Sequence, residues 1–475
     1  MATGNMMTRE LIERFAAIVG ARHALTDALD IEPYVTEMRG LWPGRSPLVL
    51  LPGSTEEVSR IMALAFQAGT AIVPQGGNTG LVGGGVPDAS GSQVVVSTRR
   101  LNRIREVDTA SNAITVEAGV VLRDVQAAAD AADRLFPLSL GSQGTCQIGG
   151  NLSSNAGGTG VLAYGNAREL CLGVEVVLPD GRVFDDLRKL KKDNTGYDLK
   201  DLFVGAEGTL GIITAAVLKL FPKPRGRELA WVGLASPADA LTLLERATAS
   251  AGSSLTTFEL VGERVVGFAV KNVPGSTAPL ASPHPWQVMM EISSARSPDH
   301  ARRMLEAVLE RALEDGLAAD AVVTSSIAQF EALWRLRDAL SESQRAEGFS
   351  IKHDISVPVA AIPEFIARAE PEVLKIAPGA RVVCFGHMGD GNLHYNISEP
   401  VGGDSEEFAA SYRDINRAVH AVVRSLGGSF SAEHGIGQLK RDELLATEPE
   451  VAIDLMRRIK QVIDPSGIMN PGKVI

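Results

Sequence analysis

The chain has 475 residues, of which 45% are hydrophobic and 22% charged, and its formal net charge is −11. This composition is typical of a globular protein large enough for two domains, and the negative charge argues against nucleic acid or an anionic membrane as the main partner. Three cysteines without a CxxC pair indicate a reducing compartment. Charged residues near the start, where a signal peptide is apolar, and the lack of a long apolar run predict a cytoplasmic protein without a membrane span.

The predicted elements begin with a helix from Thr8 to Val19, whose apolar residues recur at helical spacing. A strand in LVLLP follows, then a helix that Ser54 and Glu57 open as a capping box, then a strand in AIVP. A glycine-rich loop, Pro74 to Gly85, comes next, and six of its residues are glycine. Such a backbone brings its N–H groups close to a ligand because no Cβ stands in the way.

A second glycine-rich region, Gly141 to Gly160, follows a predicted helix from Leu122 to Leu135. Its composition is also typical of a flexible linker. It lies between well-patterned elements, however, and carries polar side chains that can hold a ligand: Asn151, Ser153, Ser154 and Asn155. Two such loops suit an elongated cofactor. Gly158 to Ala163 spells GxGxxA, but no strand precedes it and no acidic residue closes a βαβ unit, so a nicotinamide site is not predicted.

Pro222 and Pro224 indicate a domain boundary. Beyond them, strands in ELAWVGL, TTFELV, VMMEIS and AVVTSS alternate with helices from Pro237 to Ala249 and from Pro298 to Leu313, and a later helix runs from Glu406 to Leu426. This alternation predicts a second α+β domain.

Two cations in this second half are candidates for binding carboxylates. Arg337 lies four residues before Ser341 on a predicted helix, so both share one face. Lys352 follows in the strand IKHDISVP. An arginine on a helix also commonly faces solvent, so Arg337 by itself does not define a site.

The segment GHMGDGNLHYN, Gly386 to Asn396, predicts a β-hairpin with a two-residue turn at Asp390-Gly391. In that register His387 lies opposite His394, and Asn396 shares their face. A three-residue turn would instead place the two histidines on opposite faces.

Two imidazoles on one face suit a divalent transition metal, with Glu433 as a third ligand. His434 would then be a proton acceptor beside the metal. Histidines in a hairpin are also common as packing or surface residues. The same residues would equally describe a hydrolytic zinc site.

Seven motifs occur in one order: PQGGNTGLVGG, PLSLGSQGTCQIGGNLSSNAGG, KDNTGYDL, GAEGTLGIIT, GHMGDGNLHYN, AEHGIG and DPSGIMNPGK. Together they resemble FAD-dependent 2-hydroxyacid dehydrogenases of the vanillyl-alcohol-oxidase type, and within these the D-2-hydroxyglutarate and D-lactate dehydrogenases. The resemblance implies an α+β fold with a two-part FAD-binding domain and an α+β cap domain built on an antiparallel sheet. The implied segments are a helical 1–44, an FAD-binding 45–225, a substrate-binding 226–430 and a returning 431–475.

The resemblance also implies non-covalent FAD, since the first loop has no histidine for covalent attachment and Cys146 is the attachment point only in distant relatives. The implied FAD contacts are Pro74, Gly76, Gly77, Asn78, Thr79, Gly80, Leu81, Gly141, Ser142, Gly144, Thr145, Gly149, Gly150, Asn151, Ser154, Asn155, Gly157, Gly158, Glu207, Gly211, Ile212 and Asn470. The implied metal, usually zinc, is bound by His387, His394 and Glu433.

Arg337, Ser341, Lys352, Asn396 and His434 correspond to the family's substrate contacts, with serine where close relatives have threonine at 341. The expected reaction is oxidation of a D-2-hydroxy acid, with His434 as base and FAD as hydride acceptor. Two cations favour a dicarboxylate such as D-2-hydroxyglutarate or D-malate over D-lactate or glycolate, although both cations could also bind a single carboxylate. The family further implies an electron-transfer flavoprotein, or else a quinone or cytochrome, as electron acceptor, and a homodimer. A flavin-free metallohydrolase and a flavin-containing transferase are the alternatives.

Overall fold

The computed structural model describes residues 7–475, which fold as two compact units. The first unit contains the chain up to Gly157, together with Gly165–Lys223 and Glu433–Ile475. The second contains Gly158–Tyr164 and Pro224–Ala432. Each unit mixes helices with sheets, in agreement with the expected α+β class.

The first unit contains a four-stranded and a five-stranded sheet. In spatial order the first consists of Ala24–Leu25, Val49–Leu50, Val94–Ser97 and Ile72–Gln75, and its last three strands are parallel. The antiparallel second sheet consists of Ile104–Asp108, Ala113–Glu117, Ile212–Lys219, Cys171–Val177 and Val183–Asp185. Phe221–Pro222 and Arg134–Leu135 form a separate pair. The larger helices are Arg9–Val19, Ala28–Val35, Thr55–Ala68, Leu122–Ala131, Arg441–Thr447 and Glu450–Ile463.

Local signals set most of these helix ends. The Thr8 hydroxyl accepts from Leu11 N at the start of the first helix, and Ser54 caps the helix Thr55–Ala68 as expected. The helix predicted from Leu122 to Leu135 is too long, because it ends at Ala131. Asp133 adopts φ 55°, a left-handed conformation that no helix continues through.

The second unit is organised on one antiparallel sheet. Its strands are, in spatial order, Asp320–Val323, Gly226–Leu234, Trp286–Ser294, Leu255–Gly262, Arg381–His387, Asn392–Ser398 and Ser350–Ile351, with Asp354–Ser356 also paired to Asn392–Ser398. The main helices are Pro237–Ala251, Glu263–Asn272, Pro298–Glu314, Ile327–Glu342, Ile362–Ile376, Ser405–Ala410 and Tyr412–Ser425. The strand predicted in IKHDISVP is therefore split, with Lys352 and His353 between its two parts.

Alternating residues of each strand face opposite sides of this sheet. In the strand Gly226–Leu234, for example, Ala230 and Val232 belong to one apolar core, while Leu229 and Trp231 belong to a second core on the other side. The helix predicted from Glu406 to Leu426 is interrupted at Ser411, whose hydroxyl donates to the Phe408 carbonyl. Such a side-chain bond competes with the helical pattern.

Candidate active site and its relatives

The histidine hairpin has a different register from the predicted one. Phe385, not His387, lies opposite His394. The connection is the four residues Met388 to Gly391, so the two-residue turn is wrong. Because the shift is two residues, and side chains alternate along a strand, both histidines still share a face. Their ring centroids are 5.8 Å apart.

The neighbouring strands explain this register. His387 pairs with Glu259 on one side of the hairpin, and His394 pairs with Asp354 on the other. The Asn392 side chain also donates to Asp354 Oδ1 at 3.0 Å and to the Ile355 carbonyl at 2.9 Å. The turn sequence alone therefore does not choose the pairing; the two flanking strands hold it.

Glu259 connects a predicted metal ligand to a predicted substrate contact. His387 Nδ1 lies 2.6 Å from Glu259 Oε1, and Arg337 Nε donates to Oε2 at 2.7 Å. Burial raises the pKa of the Glu259 carboxyl, but the charges of Arg337 and His387 outweigh this effect and lower that pKa to about 2. Glu259 is therefore ionised and only accepts hydrogen bonds.

The helix Ile327–Glu342, capped by Ser326, carries Arg337 onto the sheet. Arg337 is buried and its guanidinium lies 5.5 Å from the centre of the Phe385 ring. Ser341, one turn later, is exposed. Of these two predicted substrate contacts, Arg337 is therefore buried against the sheet, and Ser341 lies at the surface.

Lys352 and Asn396 meet at one buried amide. Lys352 Nζ donates to Gln344 Oε1 at 2.7 Å, and Asn396 Nδ2 donates to the same oxygen at 3.1 Å. Asn396 also accepts from the His353 amide. Since Asn396 and His394 are two residues apart on one strand, Gln344 places Lys352 on the side of the sheet that carries the histidines.

Glu433 and His434 directly follow Ala432, whose amide donates to the Asp354 carbonyl at 3.2 Å. One possible ligand atom from each of His387, His394 and Glu433 lies within 4.8 Å of the others, and Asp354, Glu433 and His434 form a second such group. Two imidazole nitrogens and a carboxylate oxygen are a donor set that suits zinc and similar ions. The residues therefore fit the implied metal.

The sequence interpretation missed three residues of this site: Glu259, Gln344 and Asp354. Glu259 had a recognisable signal, because it is the single charged residue in the otherwise uncharged strand segment TTFELV. Asp354 gave a weaker signal, because its segment IKHDISVP also contains the charged residue Lys352. Gln344 gave none, since its role depends on the positions of Lys352 and Asn396.

In the first unit the two glycine-rich loops lie against each other. A Cβ at Gly76 would be 3.4 Å from Gly150 N, and a Cβ at Gly77 would overlap the Thr145 carbonyl oxygen. At Gly80, Gly141 and Gly150, a Cβ would meet no atom of residues 7–475 within 4 Å. The loops thus pack closely where they meet and leave space elsewhere, as a cofactor cradle requires.

Gly77→Ala is expected to separate these loops. Overpacking of this kind costs about 1–3 kcal/mol, and we expect the purified variant to retain less flavin, measured by absorbance after desalting. Gly85→Ala is the matched control, because a Cβ there would lie 3.8 Å from its nearest neighbours. Equal flavin content in both variants would contradict the prediction.

Several buried polar atoms of the first unit have no hydrogen-bond partner among the residues that the structure describes: Asn151 Nδ2, Asn470 Oδ1 and Lys473 Nζ. Asn470 is held in place because its Nδ2 donates to the carbonyls of Gly84 and Glu207. A dinucleotide offers both anionic and polar partners to such atoms. The first unit therefore fits FAD.

Two of the predicted FAD contacts, Glu207 and Gly158, also have structural features of their own. The Glu207 carboxylate accepts from the amides of Ile436 and Gly437, at 2.7 and 2.8 Å, so it fastens the last segment of the chain. Gly158 belongs to the second unit. Ile212, another predicted FAD contact, begins the central strand Ile212–Lys219. Lys473 was not among the predicted contacts.

Lys473→Met is expected to stabilise the flavin-free protein at pH 7 by on the order of 2 kcal/mol. Burial lowers the pKa of the Lys473 amine to about 8, and Asp88 offsets only part of this effect. Below pH 8 the native state therefore bears the full cost of a buried charge. From pH 8 towards the unfolded value of 10.5 the cost fades, and so should the advantage of the variant.

Denaturant titrations of flavin-free protein at pH 7 and pH 10 measure this effect. Lys460→Met is the matched control, because the Lys460 amine donates to Asp464 and to the carbonyls of Thr209 and Met469, so its removal should destabilise. A Lys473→Met variant no more stable than the parent at pH 7 would contradict the prediction.

The chain matches two described families over most of its length. Residues 46–186 match the FAD binding domain, and residues 223–474 match the FAD linked oxidases, C-terminal domain. The chain therefore belongs to the FAD-linked oxidases, and it is an FAD-dependent oxidoreductase.

Among its relatives, a probable mitochondrial D-2-hydroxyglutarate dehydrogenase of Oryza sativa is 37% identical over 99% of this chain and 82% of the relative. D-2-hydroxyglutarate dehydrogenase of Xanthomonas citri is 35% identical over 98% of this chain and 97% of its own. A structure of p-cresol methylhydroxylase matches this chain with a TM-score of 0.77 at 16% identity, and the match covers 98% of this chain and 96% of the methylhydroxylase chain. These likenesses confirm the predicted fold class and the resemblance to D-2-hydroxyacid dehydrogenases.

No helix in residues 7–475 is long and apolar enough to cross a membrane.

The three cysteines, Cys146, Cys171 and Cys384, are buried free thiols. Burial raises the pKa of the Cys146 thiol.

Proposed function

We propose that this protein oxidises D-2-hydroxyglutarate, or the shorter dicarboxylate D-malate, to the 2-oxo acid. The observation that carries the proposal is the grouping of His387, His394, Arg337 and Lys352 around one part of the sheet. The names of the relatives agree with this substrate class. D-lactate and glycolate are the alternatives within the family.

Oxidation of a 2-hydroxy acid removes a hydroxyl proton and a hydride from the same C–OH group. His434 accepts the proton at an imidazole nitrogen, since the ordinary pKa of histidine, about 6.5, suits a base at neutral pH. A divalent ion on His387, His394 and Glu433 would supply Lewis acidity at the hydroxyl, and FAD would supply the two-electron acceptor. Asn396 orients the substrate by hydrogen bonding.

The second carboxylate of the substrate is the basis of the specificity proposal. Arg337 is already paired with Glu259, so its charge is partly compensated. The Lys352 amine donates to Gln344 Oε1, which also accepts from the predicted substrate contact Asn396, and Lys352 is an exposed residue. We therefore assign Lys352 to the carboxylate far from the reacting carbon, and Arg337 and Ser341 to supporting contacts.

Lys352→Met is expected to raise the KM for D-2-hydroxyglutarate about tenfold or more, the loss of one charged hydrogen bond, with a smaller change for D-lactate. Steady-state kinetics with both acids measure the difference. Arg345→Met, which removes another exposed cation from the same region, is the control. A proportional loss for both acids would reject Lys352 as the specificity residue.

Anaerobic addition of D- and L-2-hydroxy acids tests the function directly. D-2-hydroxyglutarate should bleach the flavin absorbance fastest, and the L-enantiomers should not. A flavin that remains yellow with every D-2-hydroxy acid would reject the proposal and favour the transferase alternative. Membership of the FAD-linked oxidases leaves the flavin-free metallohydrolase without support.

Zinc as the ion, an electron-transfer flavoprotein as acceptor, a homodimer and a cytoplasmic location complete the proposal. They are supported by the family resemblance and the composition. Elemental analysis, reduction of an added electron-transfer flavoprotein and the mass in solution test the first three.

A further inference from the structure

The side chain of Glu259, in the second unit, contacts both His387, a proposed metal ligand, and Arg337, a proposed supporting contact of the substrate. Glu259 is 1% exposed and lies on the central strand Leu255–Gly262. Its Oε1 is 2.6 Å from His387 Nδ1, and its Oε2 is 2.6 Å from Arg337 Nη2. Each carboxylate oxygen is thus committed to a different partner, although Glu259 and His387 are 128 residues apart in the chain.

The contact with His387 determines where the imidazole carries its proton. The Glu259 carboxylate forms an ion pair with the Arg337 guanidinium, and a carboxylate in such a pair accepts hydrogen bonds and does not donate them. Nδ1 of His387 therefore carries a proton, and in the neutral ring that can bind a metal the lone pair lies at Nε2. A neutral imidazole binds a metal through its unprotonated nitrogen.

The geometry assigns Glu259 as the positioning residue of the metal centre: it holds His387 in the tautomer and orientation that present Nε2 to a divalent cation, and it keeps the Arg337 guanidinium beside that centre. This inference rests on the metal site of the proposed function. Glu259 itself is not a ligand, because both of its oxygens are occupied by His387 and Arg337.

Glu259→Gln tests the assignment with almost no change of shape. The amide has one accepting oxygen and one donating nitrogen, so it cannot accept from both partners. The oxygen is expected to turn to the charged Arg337, which leaves the NH₂ group facing His387 Nδ1. The imidazole proton then moves to Nε2, where it blocks the metal. Loss of such an outer partner typically weakens metal binding about 10–100-fold.

The measurement is the affinity of the flavin-loaded protein for Zn²⁺, by competition with a chromophoric chelator, alongside thermal unfolding. Glu291→Gln is the matched control. Glu291 is a buried carboxylate on the adjacent strand of the same sheet, and it pairs with Arg227 through two 2.8 Å contacts instead of with a histidine. Both variants should lose stability, but only Glu259→Gln should lose affinity for Zn²⁺.

Parental affinity for Zn²⁺ in a folded Glu259→Gln variant would overturn the assignment, as would an equal loss in Glu291→Gln. If Glu259→Gln does not fold, Glu259→Asp gives the same test, because its shorter side chain keeps a charge near Arg337 but withdraws the acceptor from His387. Its affinity should fall at least tenfold, and an unchanged value would overturn the assignment.

The outcome is separable from that of the proposed function. A parent protein that binds no Zn²⁺ would overturn the role of Glu259, while bleaching of its flavin by D-2-hydroxyglutarate would still support the oxidation. Conversely, selective loss of Zn²⁺ affinity in Glu259→Gln would support the assignment even if another hydroxy acid proved to be the substrate.

Discussion

His434→Ala should leave FAD bound and reduce turnover by about two to four orders of magnitude, the usual contribution of a general acid or base. His434 belongs to the group that also contains Asp354 and Glu433. The alanine removes the imidazole nitrogen that receives the hydroxyl proton. The flavin spectrum of the purified variant and its steady-state turnover with D-2-hydroxyglutarate measure the two effects separately.

His300→Ala is the control for this variant. His300 lies in the helix Pro298–Glu314, where its Nδ1 is 3.0 Å from the Ser294 hydroxyl, and it belongs to none of the candidate ligand groups in residues 7–475. Its turnover should match that of the parent. Near-parental turnover of His434→Ala would reject His434 as the base, and a colourless His434→Ala would show instead that the change disturbs flavin binding.

Removal of the metal is the second large effect. Prolonged treatment with a chelator should abolish turnover while the protein keeps its flavin. Zinc or manganese should restore activity, because His387 and His394 supply nitrogen ligands that suit transition metals. Calcium should not, since it prefers sites made only of oxygen ligands. Elemental analysis before and after treatment, with turnover of the same samples, measures the effect.

A His394→Ala variant provides the corresponding change in the protein. It removes one of the two imidazoles, whose ring centroids are 5.8 Å apart, and should contain less metal than the parent after the same purification. Turnover that is indifferent to the chelator, in protein without any bound metal, would remove the hairpin site from the mechanism.

The hairpin shows how far local sequence signals reach. Asp390-Gly391 favours a two-residue turn, and that expectation placed His387 opposite His394. In the folded chain His387 pairs with Glu259 and His394 pairs with Asp354, and each of these partners lies on a strand outside the hairpin. The shared face of the two histidines survives only because the register differs by an even number of residues.

The FAD-binding part was more predictable than the substrate site. Glycine-rich loops are recognisable in sequence because glycine is needed wherever backbone approaches backbone, as Gly77 does at Thr145. The roles of the polar side chains in this unit were harder to assign. Glu207 fastens the amides of Ile436 and Gly437, a contact across more than two hundred residues that no local pattern indicates.

The sequence by itself determined the α+β class, the FAD-linked family, most helix and strand positions, and the residues proposed for the metal. These depend on periodicity, capping and ordered motifs, which are local properties of a chain. Only the tertiary structure decided that Glu259 joins His387 to Arg337 and that Gln344 joins Lys352 to Asn396. The physical reason is that a buried carboxylate or amide must find partners, and the packing of distant strands and helices selects which ones.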